Sequence, residues 1–258
     1  MELLDTVLSP ASIYNMLFFN IQAVREYKSL EALREANPIM ADRWVEISTA
    51  KHIKDSGMTH EGTYLRFAPN YPEYSKIIAI SYANVFSEDG KLKRNFKSLK
   101  STDETQVISM FMDVLHQKSS EGQQSMPQDF ESFCGYDIMN HELPLLVKRF
   151  IYNIDKLENK KLPYIIKKHM SAKPWDSAIV NAVTAWKFTG HEKSPLMLIC
   201  DFLDLKTNVA ILEPHEISQY YWENIESDED GTIEYVESQS ANQTNLIIQL
   251  INKLRKIG

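Results

Sequence analysis

"LFFNIQAV", residues 17–24, decides how the rest of the chain is read. The run is short, apolar and aromatic, too short for a stable helix and rich in residues that pack well on a pleated surface, so it reads as a buried strand. The strand is expected over residues 14–20, "YNMLFFN". Two amides, Asn20 and Gln22, stand at alternate positions, and alternate positions on a strand share a face. They are the amides of Asp and Glu. The stretch is therefore either an ordinary strand with two polar residues or a metal-ligand pair whose carboxylates have become amides.

The 258 residues, 43% of them hydrophobic, suffice for a sizeable core. Neither an internal repeat nor a flexible linker stands out, which favours one domain over residues 1–258 with an insertion-like helical segment at about 30–70. A net charge of −7 gives no global pull towards nucleic acid or anionic membrane, so any such binding has to come from a local patch. Cys134 and Cys200 lie in apolar surroundings and read as packed, reduced thiols. With no basic leader and no run near the ~18 apolar residues of a membrane span, the expectation is a cytoplasmic protein without a membrane partner.

Outward from the first strand, Ile39, Met40, Trp44 and Ile47 give a roughly helical pattern over Pro38 to Lys54. "SKIIAISYANVF" (75–86), then "EDG" and "KLKRNFKSL", predicts a β-hairpin. Val107, Ile108, Phe111, Met112 and Leu115 form a helical stripe behind the acids Asp103 and Glu104. Residues 118–128 read as an exposed loop, "FESFCGYD" as a short strand and 142–153 as a helix. Further helices are expected at about 177–187, 195–203 and 214–223. An acidic loop, "ENIESDEDG", precedes a last helix at about 232–256. The order predicts an α/β fold with an RNase H-like mixed sheet of about five strands flanked by helices.

Several segments, in the right order, resemble the DEDD-type 3′–5′ exonucleases, and within them stand-alone enzymes related to the proofreading domain of family-B DNA polymerases. "FFNIQAV" resembles their first motif, Asp-Ile-Glu. "CGYDIMNHELPLLVKRF" resembles the second, Gly-His-Asn-x-x-x-Phe-Asp-x-Pro and its helix. "KPWDSAIVNAVTAWKFTG" and "SPLMLICDFLDL" resemble a later segment and the helix after it, and "EYVESQSANQTNLIIQLI" the final Tyr-x-x-x-Asp motif. The resemblance spans about residues 14–255, loosely over 25–70.

In such enzymes two divalent metals are held by four carboxylates, because adjacent dications repel unless anionic oxygens neutralise them. Carried over, the first motif's acids fall on Asn20 and Gln22, the second motif's Asp on Glu142, the Asp before the Trp-Lys-Phe segment on Asn181 and the last on Gln239. Tyr235 stands where the water-orienting tyrosine belongs, and Asp137 replaces an Asn. Losing about three anions removes several kcal/mol of attraction per metal even at an effective dielectric near 20. The resemblance therefore implies an inactive site, with Glu142 and Asp137 as residual, weak metal ligands and no cofactor. The alternative is an active Mg²⁺- or Mn²⁺-dependent exonuclease using a reduced or relocated set of acids.

Other motifs are missing: neither His-Glu-x-x-His, Cys-x-x-Cys, a phosphate-binding glycine loop nor Gly-x-Ser-x-Gly occurs. His141 and Glu142 beside Asp137 read either as an acid/base cluster or as a helix N-terminus carrying acids. Residues 148–173 hold eight Lys or Arg against two acids, with Phe150, Tyr152 and Tyr164 between them. Lys148, Arg149, Lys160, Lys161, Lys167 and Lys168 are thus candidates for binding single-stranded DNA or RNA, with a solvated basic face as the plain alternative. Two roles follow for an inactive domain: a nucleic-acid-binding module or a scaffold in a protein complex.

Overall fold

The computed structural model describes residues 13–54, 57–116, 132–157, 160–164, 166–167, 179–187, 194–207 and 209–255. In chain order these form β1 (Met16–Arg25), α1 (Leu30–Ala36), α2 (Pro38–Ser48), α3 (His60–Phe67), β2 (Ser75–Glu88), β3 (Lys91–Lys100), α4 (Glu104–His116) and β4 (Ser132–Gly135). There follow α5 (Glu142–Tyr152), β5 (Ile179–Asn181), α6 (Ala182–Lys187), α7 (Leu196–Leu203), α8 (Pro214–Asn224) and α9 (Glu229–Leu254). The sheet order is β3-β2-β1-β4-β5, antiparallel across β3, β2 and β1 and parallel across β1, β4 and β5. This is the expected RNase H-like mixed sheet with flanking helices.

β1 is buried along its whole length, which is why it runs on to Arg25 rather than stopping near residue 20. Its odd positions, Leu17, Phe19 and Ile21, join the core under α4 and α5, with Phe19 packed against Phe111 and Phe133. Met16 and Phe18 face α9 with Ala83, Val85, Ile247 and Ile251. Burying each such side chain contributes about 1.5–3 kcal/mol, so one strand anchors both layers. The hairpin closes through Asp89 and Gly90, both at positive φ, a two-residue turn whose twist matches the flanking strands.

Helices α1 to α3 gather around a core of their own. Trp44 is fully buried there among Tyr64, Tyr71 and Tyr74. α2 begins at Pro38, capped by Asn37, whose side chain accepts from Met40 N.

Three expectations need correction. The helix placed at 177–187 splits: residues 179–181 pair in parallel with β4, and of the described residues there 182–187 are helical. A β-branched pair in so short a run does not distinguish strand from buried helix; β4 alongside does. The acidic loop shrinks to a turn, because Asp228 caps α9 and Glu229 and Asp230 occupy its first turn, where the helix dipole favours acids. The strand in "FESFCGYD" ends at Gly135 and, among the described residues, covers 132–135. The expected loop at 118–128 lies outside the described residues. Among the described residues no helix is long and apolar enough to cross a membrane.

Candidate functional site

Asn20 and Gln22 point to the α9 side of the sheet, between Phe18 and Val24 in the strand, where apolar residues would otherwise continue the core. Both are buried, so each amide needs partners. Gln22 Nε2 donates to Asn20 Oδ1 at 3.0 Å; Asn20 Nδ2 in turn donates to Gln243 Oε1 at 3.2 Å and, more weakly, to Glu142 Oε1 at 3.4 Å. Two ionised carboxylates at 20 and 22 would have no proton to share. Ser240 reinforces the seam, its Oγ donating to the Asn20 carbonyl and accepting from Ser81 N.

Asn20, Gln22, Glu142 and Gln243 line a cleft of about 550 Å³ shared with Asp137, Asn140 and His141 from the turn after β4. Gly135 opens that turn. A Cβ there would stand 2.8 Å from Ile138 Cβ and 3.3 Å from the Phe19 carbonyl, so only glycine lets the turn fold back over β1. The turn delivers Glu142 to the first turn of α5, 3% exposed, with Oε2 lacking a hydrogen-bond partner among the described residues. Burial pushes its carboxyl above the ordinary value; His141, the backbone and Asn20 oppose this and Asp137 adds to it. Glu142 is thus biased towards its neutral form.

Asp137 is committed to structure. Its Oδ1 accepts from Asn140 Nδ2 at 2.9 Å and from Asn181 Nδ2 at 3.3 Å. Asn181, at the end of β5, also donates to Thr184 and so ties β5 to that turn.

Gln239 is fully buried but turned away from Asn20: its Oε1 accepts from Leu212 N at 3.2 Å and its Nε2 donates to the Ala210 carbonyl at 3.0 Å. An ionised Asp could not make the second bond. The α9 residue that reaches the cleft is Gln243, one turn on, which sequence reading missed. Its only signal was the four-residue spacing that puts it on the face of Gln239. Tyr235 is also outside the cleft lining and packs against Tyr220, ring centroids 4.1 Å apart.

The donor set does not fit two divalent cations. One carboxylate biased towards its neutral form, an Asp held by two amides and an Asn20 carbonyl already bonded to Gln22 supply too little negative charge. Among the described residues no three His, Cys, Asp or Glu side chains cluster as metal ligands.

Part of the basic stretch is compensated by acids. Arg149, expected on a nucleic-acid-binding face, is instead 2% exposed and paired bidentately with Glu104, with Glu26 beside it at 3.2 Å. A guanidinium fork matched to a buried carboxylate belongs in the interior. Lys148 pairs with Glu73 at 2.8 Å and Lys160 with Asp113. Lys161 and Lys167 are exposed, and Lys168 lies outside the described residues.

In comparisons with known proteins, no family model, curated protein or solved structure matches this chain significantly.

Proposed function

We propose that the chain is a catalytically inactive exonuclease-like domain that works as a scaffold in a protein complex. The observation that carries this reading is the amide network: Asn20, Gln22 and Gln243 satisfy one another beside a Glu142 whose burial disfavours its anion. Gln239 supports it further, because its amide now holds the 210–212 segment through a bond that a carboxylate could not donate.

A protein partner is favoured over nucleic acid because Arg149 is paired with an acid in the interior and Lys148 and Lys160 are paired with acids at the surface. The same segment exposes Ile151, Tyr152, Ile154 and Tyr164, the last at 79%. Exposed apolar and aromatic groups together are the usual material of protein contacts.

The test is incubation with single-stranded oligonucleotides and Mg²⁺ or Mn²⁺, with binding to the same strands followed against salt. Absence of hydrolysis and of salt-sensitive binding supports the proposal. Metal-dependent cleavage that disappears in Glu142→Ala would establish the active alternative. Binding at low salt without cleavage would replace the protein scaffold by a nucleic-acid-binding module.

A further inference from the structure

Arg25 and Arg149 are both almost wholly buried, yet their surroundings differ. Arg149 is saturated by Glu104, Glu26 and the Pro72 carbonyl. Arg25 donates from Nη1 to the Leu65 carbonyl at 2.9 Å, while its Nε is buried without an acceptor and it forms no ion pair among the described residues. The Glu61 carboxylate acts on Arg25 electrostatically but forms no ion pair with it, and accepts from Leu30 N at 3.0 Å. A desolvated guanidinium without a direct ion pair is costly, and burial accordingly pushes Arg25 below its ordinary pKa, with Tyr64, Glu61 and Glu223 acting on it in the opposite sense.

The residue is also held rigidly. Arg25 N donates to Ser218 Oγ at 2.7 Å and Trp222 Nε1 donates to the Arg25 carbonyl at 3.0 Å, fixing the end of β1 against α8. Arg25 lines a cleft of about 730 Å³ together with Lys28, Arg66, His215, Gln219 and Trp222. Two acids share the cleft: Glu223 accepts from Gln219 and Glu226 lies 3.8 Å from Lys28. Arg66 has no ion pair among the described residues.

We propose that this cleft binds a phosphate monoester, with Arg25 as its buried anchor and Arg66 and Lys28 closing on the phosphate oxygens. Guanidinium, ammonium, imidazole and amide donors lining one cleft exceed what the two oxygens of a carboxylate need and suit the three terminal oxygens of a phosphate. The volume is that of a pocket for a small organic molecule rather than a bare ion, and the Trp222 indole supplies an aromatic wall. The site stands apart from the Asn20 cleft and does not depend on whether that cleft is inactive.

The probes are inorganic phosphate, thymidine 5′-monophosphate and thymidine, titrated calorimetrically into the whole chain at constant ionic strength, with tryptophan fluorescence followed in parallel. Binding of the monophosphate but not of thymidine is expected, weakened at least about tenfold in Arg25→Gln and in Lys28→Ala/Arg66→Ala. The double variant removes exposed side chains only and decides the matter where Arg25→Gln fails to fold. If inorganic phosphate binds as tightly as the monophosphate, free phosphate is the source of the ligand chemistry. The proposal is overturned if neither phosphate compound binds at about 10 mM, if thymidine binds equally, or if the double variant binds like the parent.

Discussion

Asn20 Nδ2 lies 3.2 Å from Gln243 Oε1, joining the middle of β1 to α9 where the sequence resemblance would have placed Gln239. This pairing makes a metal-site reversion specific in register. Asn20→Asp/Gln22→Glu/Gln243→Asp would gather three new carboxylates beside Glu142. Without metal, like-charge repulsion should cost about 2–4 kcal/mol, and Mn²⁺ at about 100 times its Kd should return about 2.7 kcal/mol. With Gln239→Asp in place of Gln243→Asp, the metal response should be weaker, because one carboxylate then lies away from the cleft. Thermal unfolding with and without Mn²⁺ reads both.

Glu142→Gln tests the buried carboxyl. Its pKa is raised in the folded protein by burial, so above the ordinary unfolded value of about 4.3 the native state holds the proton more tightly than the unfolded chain. The stabilisation is complete below that value and is lost as pH rises through the folded pKa. The stability of the parent relative to Glu142→Gln should therefore fall from pH 4 upward in urea titrations. A difference independent of pH would show that the carboxyl is not perturbed.

The Arg149–Glu104 pair is the most densely bonded ion pair of the interior, with Asn153 Nδ2 adding a bond to Glu104 at 2.8 Å and Ile77 N another at 2.7 Å. Arg149→Met should cost about 3–5 kcal/mol because it strands a buried carboxylate. Arg149→Met/Glu104→Gln should cost less than the sum of its two single changes. Additive costs in a double-mutant cycle would contradict the coupling.

Gly135→Ala should cost about 1–3 kcal/mol by forcing Ile138 away from β1. Gly90→Ala meets no atom within 4 Å and strains only the turn, at φ 71°. Gly135→Ala should thus also disturb the Asp137–Asn181 contact, visible as altered amide shifts at Asn181, whereas Gly90→Ala should leave that contact unchanged.

Periodicity made most of the elements legible. β1, the 75–100 hairpin and the helices at 104, 142, 196 and 214 lie close to their expected places because each carries a strong apolar repeat or a turn dipeptide. β5 was read as helix because three residues carry no period, and the start of α9 was read as loop because its first turn is acidic rather than apolar.

The candidate site divided along a different line. From the chain alone came the amides at 20 and 22 and the single acid at 142, since residue identity fixes how much charge a site can offer. Only the tertiary structure decided that Gln243 rather than Gln239 faces Asn20, that Arg149 lies inside the protein and that Arg25 is buried without an ion pair among the described residues. Helical spacing allows both glutamines the same face, and a basic residue in a basic run looks exposed. Which partner lies within hydrogen-bond distance is set by how α9, α5 and α8 pack on the sheet, and that packing joins residues far apart in the chain, Asn20 and Gln243 among them.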